Sequence, residues 1–165
     1  MKKQHQVILS LGSNQGNRLE NIERCIDNLH NEIGTVIRVS KLYETPSWGF
    51  ESDKFYNCAV IMNTHKSAHQ ILEECLLLEE SLGRIRSESE GYQARIIDID
   101  VIAFDEEIII SEKLQVPHPE MQNRRFALMP LAEIAPGIIH PVFNRSIKEL
   151  LKECPDDLEV KKMIG

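Results

Sequence analysis

The chain has 165 residues, 42% hydrophobic and 27% charged, the proportions of an ordinary soluble domain with enough apolar material for a core. A formal charge of −7 argues against a general nucleic-acid binder, so any anion site has to be local. There is no apolar run near membrane-span length, no signal-peptide pattern at Met1-Lys2-Lys3-Gln4, and no C-x-x-C spacing among Cys25, Cys58, Cys75 and Cys154; we expect a cytoplasmic single domain over 1–165, without disulfides or zinc.

Residues 7–11 form a short apolar run of strand type, followed by Gly12-Ser13-Asn14-Gln15-Gly16-Asn17. That stretch lacks the lysine and the hydroxyl of a G-x-x-x-x-G-K-[ST] phosphate loop and reads as a tight structural turn. Asn17 with Glu20 predicts a capping box, and Leu19, Ile22, Ile26, Leu29 and Ile33 recur at helical spacing until Gly34. Residues 35–43 and 55–63 read as strands. Between them, residues 44–54 hold Pro46 and the only tryptophan, Trp48, which serves equally well as a binding residue or as a lid over the core.

Ser67 with Gln70 predicts a second capping box, opening a helix with Ile71, Leu72, Cys75, Leu78 and Leu82 inward and Gly83 as its stop. His65 and His69 are four apart but have no third ligand nearby, which favours a solvated helix start over a metal pair. Residues 83–94 form a polar connection of a length that is usually functional.

The next stretch, Arg95-Ile96-Ile97-Asp98-Ile99-Asp100-Val101-Ile102-Ala103-Phe104, organises the rest. On a strand Asp98 and Asp100 share a face about 7 Å apart at Cα, while Ile97, Ile99, Val101 and Ala103 form the opposite, core face. Such a pair reads either as the solvated face of an edge strand or as a site for one divalent ion or two about 4 Å apart. Because Ile96, Ile102 and Phe104 make the aspartate face partly apolar, the charges there need a partner or a metal, and oxygen ligands favour Mg²⁺ shared with substrate phosphates.

Asp105-Glu106-Glu107 then predicts a hairpin turn into residues 108–110. Val116-Pro117-His118-Pro119 holds one histidine between prolines, and Arg124-Arg125-Phe126 follow. Short helices are expected over 126–134, kinked or shortened by Pro130, and over 146–153. The charged tail beyond them carries no signal. The element order predicts an α+β, ferredoxin-like split βαβ fold: a mostly antiparallel sheet with helices packed on it, in three layers, α/β/α.

Arg84, Arg86 and Arg95 precede the aspartates, and Arg124 and Arg125 follow. Planar guanidinium forks suit phosphate oxygens, so arginines, carboxylates and a histidine together suggest a polyphosphate clamp. With no protein nucleophile in view, a hydroxyl on a second substrate is the natural attacking group.

Gly12-Ser13-Asn14, Tyr43-Glu44-Thr45-Pro46, Phe55-Tyr56-Asn57, Gly83-Arg84-Ile85-Arg86, Arg95-Ile96-Ile97-Asp98-Ile99-Asp100, and Val116-Pro117-His118 through Asn123-Arg124-Arg125-Phe126 occur in an order that resembles the 6-hydroxymethyl-7,8-dihydropterin pyrophosphokinases. The resemblance implies transfer of pyrophosphate from ATP to the hydroxymethyl group of a reduced pterin, releasing AMP, in folate biosynthesis. It implies that Asp98 and Asp100 ligate two Mg²⁺ ions and that Arg84 and Arg95 act with them in catalysis. Phe55 and Phe126 match the aromatic pair that sandwiches the pterin, Asn57 the amide that reads its edge, and Thr45, Pro46 and Trp48 the loop that closes over it. Glu79, Arg84, Arg86, Arg95, Ile99, His118 and Arg124 match residues at ATP. Small-molecule substrates are thus the expected partners, with no nucleic acid or membrane, and a monomer is expected.

The sequence departs from the family at Tyr92 and Ala94, where tryptophan and proline are common, and at Lys113 and Pro119. Three other readings are a nucleotide or pterin sensor whose loop no longer closes, a glycosyltransferase using D-x-D, and a ferredoxin-like interaction domain; the last leaves the arginine cluster unexplained.

Overall fold

The computed structural model describes residues 3–45, 54–83 and 96–163, with the backbone alone at 85–86 and 93–94. In chain order the elements are β1 (His5–Ser13), α1 (Arg18–Asn28), β2 (Thr35–Val39), β3 (Tyr43–Thr45), β4 (Phe55–Thr64), α2 (Ala68–Ser81), β5 (Ile85–Arg86), β6 (Gln93–Ala94), β7 (Asp98–Phe104), β8 (Ile109–Ile110), β9 (Gln115–Val116), α3 (Arg125–Ile134), α4 (Ile147–Glu153) and β10 (Lys161–Lys162). The main sheet has the order β10-β3-β4-β1-β7, with β2 also on β4, and every pairing is antiparallel. Taking β2 and β3 as one broken strand, the four long strands and two intervening helices reproduce the expected split βαβ order.

Period-two alternation along β1 and β4 sorts the core onto two faces. Val7, Leu9, Leu11, Cys58, Val60 and Met62 pack against Ile22 and Cys25 of α1 and Ile71, Cys75 and Leu78 of α2. Ile8, Ala59 and Ile61 pack against Leu128, Leu131 and Ile134 of α3 and Ile147 and Leu150 of α4. The result is the expected three-layer α/β/α sandwich. All four cysteines are free thiols, and burial pushes Cys58 and Cys75 up to about 12, which makes them inert core groups.

Several local expectations are corrected. Gly12 and Ser13 belong to β1, and the turn comes after them, with Gly16 at φ 64°. Asn17 caps α1 by accepting the Glu20 N–H at 3.1 Å, a simple cap in place of the box, and Leu19 is exposed. The periodicity beyond Asn28 continues as a π-helical turn, Leu29–Ile33. The strand expected over 35–43 is interrupted after Val39, where Ser40 Oγ accepts the Ala59 N–H at 2.9 Å. The polar connection contains a short hairpin, β5 with β6. Residues after Asp105 do not fold back on the aspartate strand, since β8 pairs with β9 instead. The Ser67–Gln70 capping box is formed as expected.

The core face of β7 also differs. Ile97, Ile99 and Val101 lie in the α1/α2 core, but a bulge shifts the register so that Ile8 pairs with Ala103 and Leu9 with Val101. Ile102 and Ala103 therefore pack in the α3/α4 core, and Phe104 returns to the other. An extra residue in one strand reverses the alternation beyond it.

Candidate active site

Adjacent strands set the site's floor. Asp98 on β7 is paired with Gly12 on β1, and Gly12 with Asn57 on β4; in the next row of that face Asp100 is paired with Ser10, and Ser10 with Ala59. Side chains opposite one another across antiparallel strands share a face, so the aspartates, Ser10 and Asn57 look toward the α3 side. There the sheet is uncovered beyond the start of α3, leaving a cavity of about 950 Å³. Thr45, Phe55, Asn57, Asp98, Asp100, His118, Arg124 and Phe126, all expected site residues, line it together.

Each wall has a local cause. Gly12 keeps the gap between Asn57 and Asp98 open, because a Cβ there would lie 3.0 Å from Asn57 Oδ1. Asn57 is buried and donates from Nδ2 to Thr45 Oγ1 at 3.0 Å, which fixes the amide and leaves Oδ1 toward Gly12. Ser13 Oγ donates to the Ile96 carbonyl at 2.5 Å and Asn21 Nδ2 donates to Ser13 Oγ at 3.2 Å, so the Gly-Ser-Asn stretch anchors the start of the aspartate strand. Gly83, at φ 109°, is required where the chain leaves α2, because that left-handed backbone strains any residue with a side chain; a Cβ would also press on the tip of Ile96, at 2.7 Å from Cδ1.

The bulge in β7 has its own use. The Ile102 carbonyl accepts the His118 N–H at 2.8 Å, which docks the proline-flanked segment beside Asp100. Burial holds the His118 imidazole below its ordinary value, helped by Arg124 and opposed by Asp100 and Glu120. Its Nδ1 lies 3.1 Å from the Glu120 N–H. A backbone N–H can only donate, so Nδ1 is the acceptor and the neutral ring carries its proton on Nε2.

A second cavity, about 500 Å³, lies on the other side of β7, between Leu72, Leu76 and Glu79 of α2 and residues 112–115, including Lys113. It shares Asp100 and His118 with the first. Glu79 is buried, and its Oε2 accepts the Ile99 N–H at 2.8 Å, tying α2 to the peptide between the two aspartates.

Arg84, Arg95, Pro46 and Trp48 lie outside the described residues, as does Tyr92, and Arg86 is described by its backbone alone. Arg125 points its backbone N–H at Asp156 and does not line either cavity. Sequence reasoning missed Ser10, Leu11, Gly12, Glu120 and Asn123 as lining residues, and it missed the tail residues Pro155, Asp156, Asp157 and Leu158 altogether. Gly12 carried a usable signal, a glycine ending an apolar strand run. The tail carried none.

The model of the family described as 7,8-dihydro-6-hydroxymethylpterin-pyrophosphokinase matches residues 8–136, which include every described residue of the two-aspartate floor. The chain belongs to this family. The 2-amino-4-hydroxy-6-hydroxymethyldihydropteridine pyrophosphokinase of Aquifex aeolicus is 35% identical over 148 residues, covering 89% of this chain and 91% of that protein. The Methylorubrum extorquens protein of the same name is 38% identical over 145 residues, covering 87% and 89%. A folic acid synthesis protein of Dictyostelium discoideum is 34% identical over 91% of this chain, which spans only 22% of that longer protein. Among solved structures, wild-type Plasmodium falciparum HPPK-DHPS with pteroate superposes at a TM-score of 0.74 with 17% identity, covering 93% of this chain and 45% of that one, and supports the fold.

Proposed function

We propose that this pyrophosphokinase-family chain transfers pyrophosphate from ATP to the hydroxymethyl group of 6-hydroxymethyl-7,8-dihydropterin, giving the pterin diphosphate and AMP, in folate biosynthesis. The observation that carries the assignment is that two cavities of different character meet at Asp100 and His118. The larger has aromatic side chains and a fixed buried amide, which suit a flat heteroaromatic ring with a polar edge. The smaller has apolar helix residues and Lys113, which suit a nucleoside and its phosphates.

In this reading Phe55 and Phe126 stack on the pterin, Asn57 reads its edge from Oδ1, and Thr45, Pro46 and Trp48 close over it. Ile99, Glu79, Arg86 and Lys113 bound the nucleotide. Arg84, Arg95, Arg124 and the Nε2–H of His118 face the polyphosphate, and the pterin hydroxyl attacks the β-phosphorus as the bond to the α-phosphate oxygen breaks. Closure of residues 44–54 and 83–94 keeps water from competing for the activated phosphate.

The donor set fits Mg²⁺. Among the described residues no group of three or more His, Cys, Asp or Glu surrounds one metal position, so Asp98 and Asp100 leave most coordination to water and phosphate oxygens, the sharing that Mg²⁺ favours. We assign two ions to the pair. When bound they neutralise phosphate charge and polarise the β-phosphoryl group.

The test is product analysis with ATP, Mg²⁺ and the hydroxymethyl dihydropterin. AMP and a pterin diphosphate are expected, and Asp98→Ala and Asp100→Ala should each lower kcat by at least about a thousand-fold with an unchanged circular-dichroism spectrum. Release of ADP would mean γ-phosphoryl transfer instead, and wild-type turnover in either variant would remove the metal assignment.

A further inference from the structure

Helix α3 begins in an unfavourable way. Its first residues are Arg124 as N-cap and Arg125 inside, and arginine has no acceptor with which to satisfy the helix's leading N–H groups. Two guanidinium groups also sit at the positive end of the helix dipole. The missing acceptor comes from the tail, where Asp156 Oδ2 accepts the Arg125 N–H at 3.1 Å. Asp156 Oδ1 accepts the Leu158 N–H at 2.9 Å, so both carboxylate oxygens are engaged and the side chain is fixed.

The segment is also tied at its far end. Lys161 and Lys162 pair with Glu44 and Tyr43, and the Met163 N–H reaches the Leu42 carbonyl at 2.8 Å. The strand that receives them ends at Thr45, the partner of Asn57. Residues 155–158 thus run from the end of α4 toward β3 and form part of the wall of the larger cavity. This stretch lies beyond the residues that the family model matches.

We infer that the tail is part of the active site and that Asp156 is a positioning residue, which caps α3 from outside the helix and thereby holds the Phe126 ring in place to stack on the pterin. The inference rests on the pterin reading of that cavity. Phe126 is the second residue of the helix, directly after the capped N–H. The Arg124 guanidinium lies over the Phe126 ring, 5.8 Å from its centroid, but Arg124 has its own backbone tie, its N–H to the Met121 carbonyl, and its long side chain can follow a phosphate without an exact helix start. Loss of the cap should therefore fall on the pterin more than on ATP.

The experiment compares wild type, Asp156→Ala and Asp156→Asn in steady-state kinetics and in equilibrium pterin binding by fluorescence quenching, well below each melting temperature. Ser146→Ala is the control, because Ser146 caps α4 through the Glu149 N–H at 3.1 Å and lines neither cavity. We expect Asp156→Ala to raise the pterin KM and Kd about ten-fold while the ATP KM stays within about two-fold. Asp156→Asn, which keeps one acceptor oxygen, should recover part of the loss, and Ser146→Ala should lower the melting temperature without moving the pterin constants. Equal pterin affinity in Asp156→Ala and wild type would overturn this inference alone, as would an Asn variant no better than Ala or a matching pterin defect in Ser146→Ala. Wild-type protein that neither binds pterin nor releases AMP would overturn the parent reading and this inference with it.

Discussion

Gly12 shows how a single missing side chain shapes this site. It stands in register between Asp98 and Asn57, and the position where its Cβ would be is 3.0 Å from the Asn57 amide oxygen. Asn57 cannot easily withdraw, because it is buried and its other amide atom is committed to Thr45. Gly12→Ala should therefore narrow the pterin slot more than it harms the fold. We expect the pterin KM to rise roughly ten-fold, about 1.4 kcal/mol, with a melting temperature within a few degrees of wild type; an unchanged KM in steady-state kinetics would show that the gap is not used. Asp98 and Asp100 were legible from the residues themselves, because two charges on an otherwise apolar strand face need an explanation there, whereas Phe55, Asn57 and Phe126 were singled out only through the family resemblance. Ser10 was not legible, and Gly12 showed only as a glycine ending an apolar run, since the contribution of both is small size at a particular register and register depends on the partner strand.

Elements carry the same lesson. The helical periods of α1 and α2 and the cap at Ser67 could be read directly, being set by neighbours within a few residues. The bulge at Ile102 could not, because it exists to match β1 on one side and to offer a carbonyl to His118 on the other. The same holds for Asp156, which caps a helix that begins 31 residues earlier. Glu79 is a further link of this kind, with its buried carboxylate tying α2 to the Ile99 N–H. Glu79→Ala would leave that N–H without its acceptor in a buried setting, at a cost of about 1–3 kcal/mol, and would free the peptide that sets the spacing of the two aspartates. Urea denaturation should show the loss of stability. A kcat reduced more than the stability change explains, measured where the variant is fully folded, would confirm that the link serves the strand as well as the helix; a fully active variant of wild-type stability would refute it.

At the scale of the whole molecule, one sheet separates two cores, and only the α3/α4 side opens to the larger cavity. That side also depends on a neutral histidine. His140 is buried in the connection between α3 and α4, its Nδ1 lies 3.2 Å from the N–H groups of both Val142 and Phe143, and its ring stacks on Phe143 with centroids 4.4 Å apart. Those two donors require an unprotonated Nδ1, and burial holds the imidazole below its ordinary value. Because the folded value lies below the unfolded one, near 6.5, the unfolded chain takes up the proton first as pH falls. Stability should therefore be fully present above about pH 6.5 and decline below it, by at most about 1.4 kcal/mol for each unit of separation between the folded and unfolded values. His118, also held low by burial, adds a slope of the same sign. Replacing His140 with Gln, which keeps an acceptor oxygen but does not titrate, should flatten the part of the curve that belongs to the α3/α4 connection. Chemical denaturation of wild type and His140→Gln at pH 8, 7, 6 and 5.5 gives the comparison, and parallel curves for the two proteins would show that His140 contributes nothing to acid sensitivity.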